Sequence, residues 1–584
     1  MKGTTPLALV ALVSLSGCPD DDPVPSADAS TTGETDSNDA SSTGPGDGLD
    51  DTAGDSGSTS SATAETEDDE STTTGEPAAE GVRFILRQPI EGTDFFEYWM
   101  HEYAEGELLD PVLVTDNVPA GGGASNMSYT GAVDASMYCV TEEGQPGHTC
   151  YAVDLSTRPP GAPQAISGDP LVEGVLLSLP SWREAMGAFT TMVFESEGPV
   201  TISSIPFADG VVGQAETLVA EGPGEEFLTQ YVIDRDGEWL GYQSRVGEGP
   251  RSAFVVPLGD PSGPVMISDL VDPIETAQVR AFVPEHDAVI YTVDDSSVGA
   301  TDQSIWWVDL SGALPGEPIR IDDPLADDLE VRRPQIAPDG SGLVYWVGDG
   351  LEGDLMYVDL SSGVPQLPVV VSTLGASQVL IVDYGWSPDS RWIVYHAAHE
   401  QPDTHDLYVA DASGDTLGAP MQVNAGLTAG SDIAWSRFDD TSSWLYYVGA
   451  EGEMFPRLYR TPLTDLGPGQ PQSVSGEEGW NQGDIVPSHD WSMLAYTAEG
   501  DIRELYLVDI SGDTPGTPTR LNAPPTENAE VSFGPRFSSD DSVVVYDETA
   551  TQPQGPRPAF LVDLETMEVH RMADDASGAV AIPN

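Results

Sequence analysis

Lysine is almost absent from this chain, and its absence excludes whole classes of partner. Lys2 is the only lysine among 584 residues, and 21 basic residues stand against 98 acidic ones, which gives a net charge of −77. No basic patch can overcome a field of this sign, so DNA, RNA and anionic lipid surfaces are poor partners. We therefore expect no nucleic-acid binding.

A long apolar run is also missing. The stretch from Leu7 to Leu15 is too short to span the roughly 30 Å hydrocarbon core of a bilayer, and with Lys2 before it the stretch is typical of an export signal. The following Leu15-Ser16-Gly17-Cys18 resembles the bacterial lipoprotein signal. That resemblance implies a signal peptide over residues 1–17 and a lipid on Cys18 as the only membrane anchor. A plain secretory signal with a chance cysteine is the alternative.

Cysteines are few, and familiar catalytic signatures are missing. Cys139 and Cys150 flank a segment centred on Gly144-Gln145, where a two-residue hairpin would pair them. We predict a disulfide between them, because an exported compartment permits one and a zinc site would need a second pair of ligands. The sequence has no G-x-S-x-G elbow and no H-E-x-x-H helix.

Residues 18–80 form a compositional block of their own. From Pro19 to Glu80 there are 18 acidic residues, no Lys or Arg and no aromatic residue. Such a segment cannot bury enough apolar surface to offset its chain entropy, so we predict a disordered acidic stalk rich in Ser, Thr, Gly and Asp. The GDSG tetrapeptide at Gly54–Gly57 resembles a serine-protease motif, but a disordered stalk offers no rigid shell to orient a nucleophile.

What the chain has in abundance is repetition. An apolar anchor, "LYVAD" at Leu407, occurs in ten copies between Trp99 and Ala559 at intervals of 47 to 54 residues. Three of these anchors begin an eighteen-residue segment of similar sequence, as in "LYVADASGDTLGAPMQVN" and "LYLVDISGDTPGTPTRLN". Repetition at such a period indicates one supersecondary unit used many times.

Each repeat contains four short runs of Val, Ile, Tyr and Trp bounded by turn residues. The turn after the first run contains Asp, as in "IAPDG" (Ile336 to Gly340), where the carboxylate can accept backbone N–H bonds. Four antiparallel strands in about fifty residues is the pattern of a propeller blade. Residues 81–584 are thus predicted to be an all-β propeller of about ten blades, in one closed ring or in two smaller rings.

The pattern of an "(S/A)-P-D" turn and an "LY-x-x-D" anchor resembles the TolB-type, WD40-like propeller repeat. The resemblance covers about residues 82 to 584 and is strongest from Asp234 onward, whereas the copies near Trp99 and Thr201 lack the Asp turn. It implies a ring that binds envelope proteins or peptides. True TolB proteins are soluble and carry a separate α/β domain where this chain has a lipid signal and a stalk.

The two ends of the repeat region suggest how the ring closes. The first copy shows only three strands, and the chain finishes in "GAVAIPN" (Gly578–Asn584), which resembles an innermost strand. We predict that this segment completes the first blade as a C-terminal clasp and removes an open sheet edge.

Charged residues near the starts of the inner strands are the predicted binding site at the channel mouth. A basic arc and an acidic arc would occupy opposite sides of one rim and bind a peptide end or another zwitterion. Salt bridges that only tie neighbouring blades together are the alternative. The residues are Arg280, Arg332, Arg333, Asp383, Asp432 and Asp484.

A histidine cluster is the second candidate site. His396, His399 and His405 fall within ten residues in "HAAHEQPDTHD", and with the neighbouring carboxylates they could hold a divalent metal. A polar surface loop is the alternative. The acidic run Asp322 to Glu330 lacks EF-hand spacing, which favours a solvated loop over a calcium site.

These features favour a non-enzymatic binding and scaffold propeller, lipid-anchored in the bacterial cell envelope. We expect it at the outer membrane, on the periplasmic or the surface-exposed face, with envelope proteins or peptides as partners and no cofactor. The alternative is a metal-dependent enzyme, similar to a polysaccharide lyase or a hydrolase, that uses the histidine cluster. A passive surface-coat protein is a third interpretation and predicts no saturable ligand.

Overall fold

The computed structural model describes Glu76–Pro77 and most of residues 81–582. The longest stretches outside the described residues are 167–175, 296–301, 323–328, 373–378, 399–404, 477–484, 523–528 and 551–556. The chain divides into the units Met1–Thr72 and Thr73–Asn584, and the described residues belong to the second. The predicted signal peptide, the lipid site at Cys18 and nearly all of the stalk lie outside the described residues.

The second unit is built from ten blades, each with four main strands that pair antiparallel within the blade and that we name a to d from the ring axis outward. Further strand pairs join blades 4 and 5, and blades 6 and 7, into eight-stranded sheets. The a strands of blades 1 to 10 are Ala579–Ile582, Gly122–Thr130, Ser181–Arg183 (with Leu176–Leu177), Glu225–Ile233, Glu275–Phe282, Glu330–Ile336, Val379–Trp386, Asp432–Phe438, Ile485–Pro487 and Ala529–Val531 (with Arg536–Phe537). The b strands are Val82–Pro89, Ala135–Glu142, Ala188–Phe194, Trp239–Val246, Ala288–Asp295, Gly342–Asp349, Trp392–Ala398, Trp444–Ala450, Met493–Glu499 and Val543–Ala550. The c strands are Phe96–Ala104, His148–Asp154, Thr201–Ala208, Arg251–Pro257, Asp302–Asp309, Glu352–Asp359, Asp406–Asp411, Arg457–Thr464, Arg503–Asp509 and Ala559–Asp563.

The outermost d strands are two residues long in eight blades and five residues long in blades 3 and 10. They are Val112–Leu113, Gln164–Ala165, Glu216–Ala220, Val265–Met266, Ile319–Arg320, Val369–Val370, Met421–Gln422, Gln472–Ser473, Thr519–Arg520 and Val569–Ala573. Further two-residue strands are Glu76–Pro77, Glu107–Leu108, Thr157–Arg158, Val211–Val212 and Gly467–Pro468. One 3₁₀ turn, Glu184–Met186, takes the place of the Asp turn in blade 3. The predicted all-β propeller of four-stranded antiparallel blades is confirmed.

Continuous apolar runs in the b strands follow from burial on both faces. In blade 7, Ile393 and Tyr395 pack against blade 6, whereas Trp392 and Val394 pack against blade 8. Successive side chains of a strand point to opposite faces, so both sets of residues must be apolar when each face meets a neighbouring blade.

The ring is single and closed. Each blade shares a buried apolar cluster with the next one along the chain, and Val543 and Leu561 of blade 10 pack against Phe84 and Leu86 of blade 1. Ten blades with ten such interfaces leave no place for a division into two smaller rings.

The C-terminal strand forms the predicted clasp. Ala579–Ile582 pairs antiparallel with the b strand of blade 1, with Ile582 opposite Arg83 and Ala579 opposite Leu86. Residues from the two ends of the second unit therefore share one blade, which leaves the b strand of blade 1 without a free edge.

The repeated eighteen-residue segment is a loop closed on itself. The N–H of its first residue donates to the side-chain oxygen of its last, as from Leu407 to Asn424 at 3.2 Å and from Leu505 to Asn522 at 3.0 Å. The same bond occurs from Ile305 to Asp322 at 2.6 Å. A polar side chain closes strand c, the Gly/Pro loop and strand d into one unit in blades 1 and 4 to 9.

Cys139 and Cys150 lie directly opposite each other on strands b and c of blade 2. Their sulfur atoms are bonded at 2.01 Å, and both residues are fully buried against Val193 of blade 3.

Among the described residues, no helix is long and apolar enough to cross a membrane.

Candidate functional site

The inner strands share an irregularity that positions the candidate site. Six a strands, in blades 2 and 4 to 8, lose register with strand b at mid-length, where a β-bulge inserts extra residues. A bulge bends a strand and re-aims its side chains, and bulges are common at functional sites. Arg280 and Arg333 are bulge residues of blades 5 and 6, and Arg332 and Asp383 are the paired residues beside the bulges of blades 6 and 7.

The side chain of Arg280 is hydrogen-bonded within its own blade. Its side chain is half-buried and donates from Nε to Thr292 Oγ1 at 2.9 Å. Burial lowers the pKa of this guanidinium, and the charge of Asp294 opposes that effect. Arg280 thus supports the sheet between strands a and b.

Arg332 is likewise engaged within blade 6. Its Nε lies 2.7 Å from Glu330 Oε2, and its guanidinium stands 5.1 Å from the ring centroid of Trp346. An arginine that is paired with a carboxylate and stacked on an indole has part of its binding capacity already used.

Arg333 is exposed and held from the next blade. Its φ of +49° is in the left-handed region, which non-glycine residues rarely adopt. Tyr384 of blade 7 donates its hydroxyl to the carbonyl oxygens of Arg333 and Arg332, at 2.6 and 2.9 Å. The buried tyrosine, whose pKa is raised by that burial, fixes the bulge that presents Arg333.

Asp383 is the exposed acidic residue beside this tyrosine. Its Oδ1 accepts the N–H of Tyr384 at 3.0 Å, and Gln335 of blade 6 donates to the Tyr384 carbonyl at 3.1 Å. The Arg333 guanidinium and the Asp383 carboxylate are therefore both exposed on neighbouring a strands. Tyr384 is hydrogen-bonded to the main chain of Arg333 and to the side chain of Asp383.

The rest of the predicted acidic arc is placed only in part. Asp432 begins the a strand of blade 8 opposite Ala450, and Asp484 lies outside the described residues. The full bipolar rim stays a prediction, with Arg333 and Asp383 as its best-placed pair.

The two described histidines of the predicted metal cluster contact blade 8. His396 is buried on strand b of blade 7, and its Nε2 lies 2.8 Å from Ser436 Oγ. The carbonyl of His405 accepts the N–H of Ile433 at 3.0 Å. His399 lies outside the described residues, and within the described part no three His, Cys, Asp or Glu side chains are grouped for a metal. Metal binding by these histidines stays a prediction.

No protein-family model and no curated protein matches the chain. Among solved structures, a eukaryotic initiation factor is similar at 11% identity and a TM-score of 0.45, over 86% of this chain and 99% of the other. An oligogalacturonate lyase in complex with manganese matches at 11% identity and a TM-score of 0.33, over 67% of this chain and 99% of the other. TolB from Acinetobacter baumannii matches at 13% identity and a TM-score of 0.25, over 53% of this chain and 83% of the other. Likenesses this distant say nothing about activity, so the function is inferred from the chain's own residues.

Salt bridges and arginine hydrogen bonds between blades do occur, at positions that were not predicted from the sequence. Arg83 of blade 1 pairs with Asp134 of blade 2 at 2.9 Å, and Arg391 of blade 7 pairs with Asp465 of blade 8 at 2.8 Å. Arg460 of blade 8 is fully buried and donates to the Ile510 carbonyl of blade 9 at 2.6 Å. These arginines lie outside the a strands, so alignment of the inner strands could not reveal them.

Proposed function

We propose that the ring is a non-enzymatic binding module that engages a protein or peptide at its channel mouth between blades 6 and 7. The observation that carries this proposal is the exposure of Arg333 and Asp383 on neighbouring strands. Both residues are hydrogen-bonded to Tyr384. The TolB-type resemblance of the repeat supports a protein or peptide partner over a small metabolite.

The chemistry of the pair suits a ligand that carries both charges. A guanidinium binds a carboxylate through two parallel N–H donors, and an aspartate accepts from an ammonium group. Because the chain carries a net charge of −77, an anionic group of a ligand has few places to bind, and an exposed arginine is one of them. A peptide end beside a basic side chain fits this arrangement.

Capture from envelope extracts tests the proposal. Arg333→Glu and Asp383→Asn should each lose a partner that the unaltered chain retains, whereas Arg251→Glu, on an exposed arginine of blade 4, should keep it. Arg280 and Arg332 are unsuitable for this test because they already bond within their blades. Identical captured proteins for all four chains would remove the mouth as the binding site.

A synthetic peptide then checks the ligand chemistry. A segment of the captured partner is compared with a free and with an amidated carboxyl end, against the unaltered chain and Arg333→Glu. Amidation should weaken binding to the unaltered chain and leave binding to Arg333→Glu unchanged. Equal weakening in both would assign the carboxylate to another residue.

Attachment to the cell envelope is part of the same proposal. A lipid on Cys18 and the acidic segment 18–80 would hold the ring away from the membrane. Replacing Cys18 by Ser should move the protein from the membrane fraction to the soluble fraction of lysed cells. Retention of Cys18→Ser in the membrane fraction would contradict a lipid anchor.

A further inference from the structure

The outer wall of blades 4 to 6 carries exposed apolar side chains where loops c–d and strands d lie. We propose that this apolar belt docks a cationic amphipathic segment of a partner protein, at a surface separate from the channel mouth. The belt consists of Met266, Leu314, Ile319, Val364, Leu367 and Val369, with exposed fractions of 54%, 70%, 45%, 54%, 82% and 45%.

Equivalence between repeats makes the belt continuous. Gly467, tenth in the eighteen-residue segment of blade 8, lies so close to Met421, fifteenth in that of blade 7, that an added Cβ would stand 2.5 Å from its Sδ. Val364 and Ile319 are the tenth and fifteenth residues in blades 6 and 5, so they adjoin in the same way. By the same relation Leu314, tenth in blade 5, lies against strand d of blade 4 at Val265, which pairs with strand c there as Ile319 does in blade 5, and Met266 is the next residue along that strand.

The fold does not require apolar side chains at these positions. Blade 9 forms the same closed loop with Thr514, Thr517 and Thr519 where blade 6 has Val364, Leu367 and Val369. In blade 7 the equivalent Met421 is only half exposed. Exposed apolar residues on consecutive blades are typical of an interaction site.

The geometry of the d strands favours docking through side chains over strand addition. The strands are two residues long, and Pro264, Pro318 and Pro368 immediately precede them in blades 4, 5 and 6. Proline lacks an N–H and a two-residue edge offers little backbone to pair with. The apolar face of an amphipathic helix is therefore the better occupant.

Charge selects the partner. Exposed Asp269, Asp309 and Glu317 flank the belt, and the cation of strand d in blade 5, Arg320, is held by Asp322 at 2.6 Å. A second copy of this strongly acidic chain, or an anionic lipid surface, would be repelled. A partner with basic residues around an apolar face is complementary in both respects.

Model peptides test the inference with the full chain. The probe is an amphipathic helical peptide of Leu and Lys, compared with its Leu and Glu counterpart by calorimetric titration. The variant Val364→Thr/Leu367→Thr/Val369→Thr gives blade 6 the residues of blade 9, and Leu466→Thr removes a leucine that is 96% exposed outside the belt. The triple variant should bind the Leu/Lys peptide at least about tenfold more weakly, because each substitution removes apolar surface that the bound peptide would cover. Leu466→Thr should bind as the unaltered chain does.

Because net charge alone attracts a cationic peptide, the comparison between variants decides the result. Equal binding by the triple variant would overturn the belt as the docking surface, and equal binding of the Leu/Glu peptide would overturn a cationic partner. A dimer in sedimentation experiments that the triple variant fails to form would assign the belt to a second copy instead. If the triple variant melts early, Leu367→Thr alone serves, with a smaller weakening expected in the same direction.

Discussion

At the scale of the residue, Gly340 in the a–b turn of blade 6 is constrained twice. Its φ is +75°, and an added Cβ would lie 2.0 Å from the carbonyl oxygen of Pro284 in blade 5. Ser390 and Ser442, with φ of 61° and 58° at the matching turns, carry side chains there and accept N–H bonds from the preceding blade. Blade 5 therefore approaches its neighbour more closely at this turn than blades 6 and 7 do.

We expect Gly340→Ala to destabilise the ring by about 2 to 4 kcal/mol, from left-handed strain together with the steric clash. Gly363→Ala is the matched control, because Gly363 has a φ of +73° but would meet only the His286 ring at 3.7 Å. Urea unfolding followed by tryptophan fluorescence measures both. Equal destabilisation of the two variants would mean that the backbone at Pro284 relaxes freely.

His101 gives a second residue-scale prediction, on acid stability. It stands opposite Phe84 on the side of blade 1 that packs against blade 10, and both ring nitrogens are buried without a hydrogen-bond partner among the described residues. Burial lowers its pKa to about 4, against about 6.5 when unfolded. The contribution of the neutral His101 ring to the free energy of unfolding is therefore complete above pH 6.5 and is lost as the pH falls toward 4.

Replacing His101 by Phe should accordingly flatten the acid limb of the stability profile. Between pH 7 and pH 4.5 the unaltered chain should lose about 2 to 3 kcal/mol more than His101→Phe, because only the former must keep a histidine neutral in the interface. Urea midpoints at the two pH values provide the measurement. Parallel losses of stability would show that the imidazole finds a partner or water when protonated.

Residue identity alone did not reveal which arginines stay available. Arg280, Arg332 and Arg333 look alike in sequence, yet Arg280 is half-buried and Arg332 is paired with a carboxylate and stacked on an indole, whereas Arg333 lies in the bulge and is exposed. Bulge position depends on the pairing of strands a and b and on the hydroxyl of Tyr384, some fifty residues away in sequence, which lies 2.6 Å from the Arg333 carbonyl oxygen. Composition and spacing contain neither piece of information.

At the scale of the element, the strands and the propeller class could be predicted because the signals are local. Runs of four to six Val, Ile, Tyr and Trp residues between turn residues indicate doubly buried strands, and the anchor recurs in every copy. The copies near Trp99 and Thr201 lack the Asp turn but still form blades 1 and 3, where a 3₁₀ turn at Glu184–Met186 replaces it in blade 3. The turn was therefore a helpful signal without being a requirement.

The closing bond of the eighteen-residue loop gives the element-scale prediction. Asn522 accepts the N–H of Leu505 at 3.0 Å, while its own Nδ2 has no partner among the described residues. In blade 5 the position of Asn522 is taken by Asp322, which forms an ion pair with Arg320 two residues earlier. In blade 9 the residue equivalent to Arg320 is Arg520, which contacts the Asn522 side chain. Only an acceptor is needed at the end of the loop.

Replacing Asn522 by Asp should therefore keep or raise the melting temperature, because Arg520 can pair with the new carboxylate. Asn522→Leu should cost about 1 to 3 kcal/mol, since the N–H of Leu505 is then buried without a partner. Differential scanning calorimetry of both variants makes the comparison. Equal stability of Asn522→Leu and the unaltered chain would show that the loop needs no polar side chain to close it.

At the scale of the whole molecule, closure of the ring packs each of the ten blades between two neighbours. In an open array each repeat contacts only its sequence neighbours, and the terminal repeats leave a face uncovered. Here the clusters of blades 10 and 1 merge, and Tyr103 of blade 1 donates to Asp563 of blade 10 at 2.8 Å. The last interface therefore depends on the terminal strand that completes blade 1.

Removing residues 578–584 should lower the apparent melting temperature by at least about 5 °C, because the b strand of blade 1 loses its inner partner and the seam with blade 10 is weakened. The exposed edge should also make the truncated chain associate at high concentration, as unpaired strands do. Removing only residues 583–584, which follow the paired strand Ala579–Ile582, is the control and should leave both properties unchanged. Scanning calorimetry and light scattering report the two effects. A truncated chain that melts with the unaltered one and stays monomeric would mean that the side-chain cluster between blades 10 and 1 closes the ring without the clasp.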